Sequence, residues 1–330
     1  MTLETHLNQR WYGRPGWLWV LWPLEGVFRL LTRWRRKRLT RKAVRLPVPV
    51  LIVGNITVGG TGKSPLVAAL ARHLTERGLK VGIVSRGYGG AGPYPALANE
   101  GDVGRCGDEP VMLARMTGVP VCVSPNRVQA ARELLKQGGI DIILSDDGLQ
   151  HYALGRDLEI VVLDAQRKLG NGHCLPMGPL REPAERLNEV DFRVWNGGNE
   201  SCDWPMKLKP VGWLRATDGQ SFPLEHLEAD QVHAVAAIGH PERFFSTLAA
   251  LPSIGRIQRH VFPDHHPFQS GDLPDTCEPV VMTMKDAVKC QKFAGNNTWA
   301  LKVEAELPEA FWHSLDSRLN TILEHRGKHG

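Results

Sequence analysis

The run Asn55-Ile-Thr-Val-Gly-Gly-Thr-Gly-Lys-Ser64 carries the first recognisable chemistry. Glycines let a backbone curl so that its N–H groups face phosphate oxygens, and a following helix adds a favourable dipole. Thr57, Val58, Gly59, Gly60, Thr61, Gly62, Lys63 and Ser64 are therefore candidate nucleotide contacts. In such a loop Lys63 reaches the β/γ-phosphates and the Ser64 hydroxyl ligates Mg²⁺. The strict G-x-x-x-x-G-K-S pattern requires Gly at position 57, where this chain has Thr57; Gly59 and Gly60 supply the flexibility instead.

Three more groups could do chemistry. Ile140-Asp-Ile-Ile-Leu-Ser145 runs into Asp146-Asp147-Gly148, an apolar strand ending in acids. That arrangement places a carboxylate beside a phosphate loop to hold Mg²⁺, although Asp-Asp-Gly is also good turn chemistry. Gly107-Asp108-Glu109-Pro110 opens a helix. Asp108 and Glu109 read either as dipole-favoured N-cap and N1 residues or as a base accepting a hydroxyl proton. Phe262-Pro-Asp-His-His-Pro267 puts His265 beside a carboxylate in a Pro-bounded loop, as a surface loop or as an acid/base element.

The elements that must position these groups are α/β in texture. Strands are expected at 48–54, 80–85, 140–145 and 158–164, with helices at 66–77, 110–116 and 126–136. Alternation of this kind implies a doubly wound, mainly parallel sheet with ligands at the strand C-terminal ends. Residues 196–203 have linker chemistry, and an α/β pattern restarts with a strand at 232–238, a helix at 241–251 and a strand at 279–283. The expected organisation is an N-terminal basic helix (1–45), a nucleotide-binding domain (46–204) and a smaller α/β domain (205–330) that closes over the site.

Composition excludes several classes. Of 330 residues 42% are hydrophobic, enough for buried cores, so a disordered chain is ruled out. No apolar run reaches the ~20 residues of a spanning helix, which excludes a multi-pass membrane protein. Six cysteines occur at 106, 122, 174, 202, 277 and 290 without any C-x-x-C pair, and read as reduced thiols. Residues 1–45 hold eleven Lys/Arg against two acids, a net of +9, whereas the remaining 29 Lys/Arg and 33 Asp/Glu leave −4. Half of the ten Trp (11, 17, 19, 22 and 34) precede position 35. Indole rings favour the headgroup layer, and each nearby Lys/Arg gains roughly 1 kcal/mol at an anionic surface. An in-plane helix on a membrane is the expected reading; a helix packed on its own body with a solvated basic face is the other.

Together Asn55–Ser64, Ser85-Arg-Gly-Tyr-Gly89, Gly107–Pro110, Asp146-Asp-Gly-Leu-Gln-His151, Gly170-Asn-Gly172, Gly178-Pro-Leu-Arg-Glu-Pro183, Pro263-Asp-His265 and Thr283-Met-Lys-Asp-Ala-Val-Lys289 resemble the tetraacyldisaccharide 4'-kinase (lipid A 4'-kinase) family over nearly the whole chain. The resemblance implies transfer of the ATP γ-phosphoryl group to the 4'-hydroxyl of a tetraacyldisaccharide 1-phosphate. It implies ATP and Mg²⁺ as cofactors and a lipid disaccharide substrate. It also implies a monomer, peripheral on the cytosolic face of the Gram-negative inner membrane and without a nucleic-acid partner. Asp108 would be the general base, His265 its partner, and Lys63 the stabiliser of the transferring group. Ser64, Asp146 and Asp147, with Glu109 and Glu182, would manage the metal. Arg86, Tyr88 and Arg181 would contact substrate. Asp108 and His265 lie in different halves, so this reading requires a cleft that brings them together. Met284 stands where that family usually has Glu. Two rivals use the same motifs: a soluble kinase or ligase acting on a small metabolite, and a nucleotide-switched binding protein.

Overall fold

The computed structural model describes residues 3–327. Its first half holds strands β1 (Val50–Gly54), β2 (Val81–Ser85), β3 (Ala96–Leu97), β4 (Val121–Val123), β5 (Ile142–Asp146), β6 (Leu158–Asp164) and β7 (Phe192–Asn196). The second half adds β8 (Trp204–Arg215), β9 (Ser221–Phe222), β10 (Ala229–Ala236), β11 (Ile254–Val261), β12 (Val280–Thr283) and β13 (Thr298–Glu306). Helices are α1 (Leu3–Trp11), α2 (Trp22–Thr40), α3 (Lys63–Glu76), α4 (Val103–Cys106), α5 (Asp108–Thr117), α6 (Arg127–Lys136), α7 (Pro241–Ala249), α8 (Met284–Cys290) and α9 (Glu309–Gly327).

The sheet runs β11-β10-β12-β13-β8-β7-β6-β1-β5-β2-β4-β3, with β9 on β8. In the first half only the short β3 pairs antiparallel. β1, β2, β5 and β6 are buried at every residue, which is why they read as mainly apolar runs with both faces covered; the buried Glu159 of β6 is met by Arg156 and Arg186. β1 lies between β5 and β6. Its C-terminal loop and the Asp146-Asp147 turn are therefore neighbours by construction.

One strand joins the halves. β8 begins at Trp204, pairs parallel with β7 through Trp204–Met206, and then pairs antiparallel with β13 from Lys207 to Arg215. The largest apolar cluster crosses the same seam, joining Leu51, Leu66 and Leu70 to Met282, Phe311 and Leu315. α9 also packs back across it: Arg326 pairs with Asp157 at 2.8 Å and donates to the Leu46 carbonyl, and Asp316 accepts from Arg77 at 2.8 Å.

At the N-terminus, α2 is tied down by an almost fully buried acid. Glu25 accepts from the Cys174 amide at 2.9 Å and contacts His173 Nδ1 at 2.9 Å. The same arm leaves Trp17, Trp19, Val20, Trp22, Leu24, Val27, Leu30, Leu31 and Trp34 exposed. No helix among the described residues is long and apolar enough to cross a membrane.

The end of β1 has no room for a side chain. A Cβ on Gly54 would stand 2.6 Å from Leu149 Cβ and 3.0 Å from its amide nitrogen. Gly54→Ala must push β1 away from the acidic turn. We expect it to lower stability by about 1–3 kcal/mol, as overpacked cores do; urea unfolding that matches the parent would contradict this.

Candidate active site

The glycine-rich loop leaves β1 and enters α3 at Lys63. Gly59 and Gly62 adopt φ of +97° and +90°, which a side chain resists. Gly62 has a second reason to be glycine, since a Cβ there would meet Asn196 Nδ2 at 2.3 Å. That Asn196 amide donates to the Thr61 carbonyl at 2.9 Å, and Asn55 Nδ2 donates to the Gly59 carbonyl at 3.2 Å. Thr57 pairs in an isolated antiparallel bridge with Leu180. The position is thus extended, a conformation suited to a β-branched residue, which explains how Thr replaces the usual glycine. Val58 donates its amide to the Pro179 carbonyl, and Tyr12 Oη donates to the Val58 carbonyl at 3.1 Å. Gly60 has open space at its Cβ position, and Ser64 sits in the first turn of α3. Thr61 Oγ1 is buried with no hydrogen-bond partner.

Beside this loop the two adjacent acids have opposite environments. Asp147, at φ +47°, pairs with Lys63 Nζ at 3.4 Å and Arg181 Nη1 at 3.3 Å. Burial alone would raise its pKa, but Lys63 and Arg181 outweigh that and bring it down to about 2. Asp146 is fully buried and accepts from Ser85 Oγ at 3.0 Å. Burial first, then the charges of Glu109 and Asp147, push it up to about 7. Lys63 opposes this without winning. Neighbouring carboxylates driven apart in this way mark divided roles.

The second cluster spans the seam between the halves. Asp108, 6% exposed, is the first residue of α5, one position later than a cap; Gly107 is the N-cap at φ +88°. Asp108 Oδ1 accepts from the Glu109 amide at 2.9 Å, and Oδ2 lies 3.2 Å from His265 Nδ1. Burial would raise the Asp108 pKa, but the His265 hydrogen bond and the Lys285 charge hold it below the ordinary value. His265 moves the other way, raised by its bond to Asp108 against burial and Lys285. His265 itself adopts φ +60°, a costly conformation for a residue with a Cβ. Tyr88 is exposed, with its ring centroid 4.7 Å from the His265 ring. A cavity of about 630 Å³ opens here, with Tyr88, Asp108, His265, Phe268 and Lys292 in its walls. Glu109 links the clusters: its charge acts on Asp146, and Oε1 lies 3.3 Å from Lys285 Nζ.

Glu182 is placed differently from the expectation that it manages a metal. It is buried, with Oε1 accepting from Gln150 at 3.0 Å and Oε2 from the Tyr152 hydroxyl, and Arg186 stands 3.8 Å away. Its oxygens are occupied by fixed donors, so we leave it out of the metal-binding set. Arg86 is exposed, and its charge reaches Arg127.

Two functional candidates escaped sequence reasoning. Arg127 is 4% exposed, donates to the Asp147 carbonyl at 3.3 Å and keeps Nε without a partner. Its signal was only a helix start. Lys285 reaches into the Asp108–His265 cluster from α8 and was quoted only as part of a motif. Met284 beside it is buried in the core cluster rather than turned to the loop.

The comparisons agree with one another. A family model for tetraacyldisaccharide-1-P 4'-kinase matches residues 17–320. The chain is 46% identical over 329 residues to a tetraacyldisaccharide 4'-kinase of Hahella chejuensis, covering 96% of this chain and 97% of the relative. It is 48% identical over 327 residues to the enzyme of that name from Alcanivorax borkumensis, covering 98% of each. Among solved structures it resembles an apo-form LpxK from Aquifex aeolicus in complex with ATP, with a TM-score of 0.79 and 27% identity, covering 92% of this chain and 99% of that one.

The environment of Asp146 makes a stability prediction. A carboxylate whose folded pKa lies above its unfolded value penalises the fold once ionised. The penalty is absent below about pH 4, grows as pH rises, and is complete above about pH 7. In protein free of metal and nucleotide, Asp146→Asn should therefore melt above the parent at pH 8, and the gap should close toward pH 4. A pH-independent difference would contradict the assignment.

Proposed function

The chain belongs to the tetraacyldisaccharide-1-P 4'-kinase family, and on that premise we propose how its residues divide the work of moving a phosphoryl group from ATP to the 4'-hydroxyl. It is an ATP-dependent kinase of the lipid A 4'-kinase step, forming the bisphosphorylated product. Residues 46–204 form the nucleotide lobe, a P-loop unit. Residues 205–330 form the lobe that brings His265 to it.

The observation that carries the mechanism is the 3.2 Å contact between Asp108 and His265 at the wall of the cavity. Asp108 is ionised at neutral pH and so has a free lone pair for a proton, and the His265 imidazole orients it. The acceptor sugar enters the cavity with its 4'-hydroxyl toward Asp108, which takes the proton as the oxygen attacks the γ-phosphorus. The loop amides from Gly59 to Ser64 cradle the phosphates, while Val58, its amide held by the Pro179 carbonyl, anchors the start of the loop; Lys63 stabilises charge on the transferring group. Arg181 and Arg127 hold Asp147, and Asp147 in turn holds Lys63 until the phosphate competes for it. Arg86 and Tyr88 border the acceptor.

Mg²⁺ fits the residues present. A buried carboxylate raised by burial and two neighbouring acids lacks positive charge, and Thr61 Oγ1 lacks a partner. Ser64, Asp146 and Glu109 would hold the ion, with Asp147 contributing charge from its Lys63 pair. When bound, the ion neutralises phosphate charge.

The apolar, Trp-rich arm then rests on the anionic cytosolic face of the inner membrane, with the basic end of α2 at the headgroups. Its exposed side chains support this reading, since nine large apolar residues left in solvent on one arm favour a partner surface. The chain works there as a monomer on a lipid disaccharide.

The deciding assay combines Mg-ATP with tetraacyldisaccharide 1-phosphate in detergent and locates the new phosphate. Asp108→Asn should lower kcat by about 10²–10⁴-fold while ATP binding stays near the parent's; unchanged turnover removes Asp108 from the mechanism. For the arm, replacing Trp22, Leu30 and Trp34 together with Ala should weaken binding to vesicles containing anionic lipid by about tenfold or more. Equal vesicle binding would defeat the docking reading.

A further inference from the structure

We propose that Lys285 is a positioning residue for the transfer step: its ammonium group holds the His265 ring in the tautomer that presents Nδ1–H to Asp108. The proposal rests on the roles given to Asp108 and His265 above.

Lys285 is the second residue of α8, and the start of that helix is fixed tightly. Thr283 Oγ1 accepts from the Asp286 amide at 3.2 Å and donates to Asp286 Oδ2 at 2.7 Å. The same Oδ2 accepts from the Ala237 amide at 3.1 Å, while the Ala237 carbonyl accepts from the His265 amide at 3.3 Å. Ala237 thus clamps α8 on one side and the backbone of His265 on the other. Lys285 and His265 are thus held in register through Ala237 and the Asp286 carboxylate, not by their own side chains.

From this base Lys285 Nζ stands 3.2 Å from His265 Nε2, 3.2 Å from Asp264 Oδ1 and 3.3 Å from Glu109 Oε1. Three acceptors match the three N–H bonds of an ammonium group, which has no acceptor of its own. His265 Nε2 must then accept, so the ring proton sits on Nδ1 and is donated to Asp108 Oδ2. The opposite tautomer would set N–H against N–H. The Lys285 side chain is only 12% exposed, and carboxylate oxygens of Glu109 and Asp264 face its ammonium group.

The groups in contact with His265 are Asp108 from α5, Lys285 from α8, Asp264 from its own loop and the Tyr88 ring from the loop after β2. Lys289 of α8 and Lys292 line the same cavity, and the Lys289 charge acts on Asp108; Lys285 is the cation that touches the ring. Its charge opposes protonation of the ring. Without it, Nε2 opens to a proton and Asp264 is free to favour the imidazolium. An imidazolium beside Asp108 would weaken that carboxylate as a base.

The test is the pH profile of kcat for Lys285→Met and Lys285→Arg, with saturating Mg-ATP and tetraacyldisaccharide 1-phosphate in detergent micelles. Lys285→Met should move the acid limb up by about one pH unit, so that activity falls about tenfold at pH 7 and largely recovers by pH 9. KM for ATP should stay within about twofold. Lys285→Arg should keep the parent limb, because it still donates and cannot accept. ¹⁵N NMR of labelled histidine gives a readout that survives loss of activity: the parent should show His265 protonated on Nδ1 at pH 7.5, and the Met variant a mixture with the imidazolium. A Met variant whose activity falls equally at every pH, or whose His265 spectrum matches the parent, overturns the proposal. If Asp108→Asn and His265→Asn retain turnover, the failure lies instead in the underlying mechanism.

Discussion

One hydrogen bond crosses the seam of this molecule at the point where chemistry is proposed. Asp108 and His265 are separated by 157 positions and lie 3.2 Å apart. A buried carboxylate is unfavourable unless its charge is met, and here the ring from the other half meets it. The rest of the architecture serves that contact. The apolar cluster shared by both halves and the return of α9 keep the halves in fixed relation, so the pair exists without requiring a closing motion. The main chain at His265 accepts an unfavourable φ, which a packed surrounding can enforce.

Electrostatics explain why two clusters of acids sit so near each other. Asp147 is saturated by Lys63 and Arg181, whereas Asp146 is buried among carboxylates and short of positive charge. Glu109 belongs to both clusters. It adds to the unmet charge on Asp146 while giving Lys285 one of its three acceptors. The two clusters therefore share one carboxylate.

Much of this was legible in the residues, for physical reasons that differ from place to place. Val50–Gly54 and residues 160–163 are buried on both faces, so they stand out as continuous apolar runs. The glycine loop, the acid pair and the Asp-His loop were visible as motifs because their chemistry needs particular side chains at close spacing. Other elements gave weaker signals. β11 is an edge strand with most of its residues in contact with solvent, and β8 carries Pro205 and Pro210, so neither shows clean alternation. Asp108 reads from its spacing either as a cap or as a base, and the resemblance makes it the base; what the residues alone do not show is His265 standing 3.2 Å from it. The metal role of Glu182 came from the resemblance alone, and nothing near it in sequence reveals that Tyr152 and Gln150 fold onto it. Lys285 and Arg127 act through partners remote in the chain, and remote pairing leaves no local pattern.

The shared strand β8 has a consequence for how the molecule can be taken apart. Severing the chain just before Trp204 would strip β7 of a neighbour and leave the remaining fragment with a backbone edge that has lost its mate. Neither piece would be a self-sufficient module. Co-expressed fragments would have to recover one another through that edge and the apolar surface beneath it, so reconstitution by complementation, rather than autonomous folding, is the behaviour this topology favours.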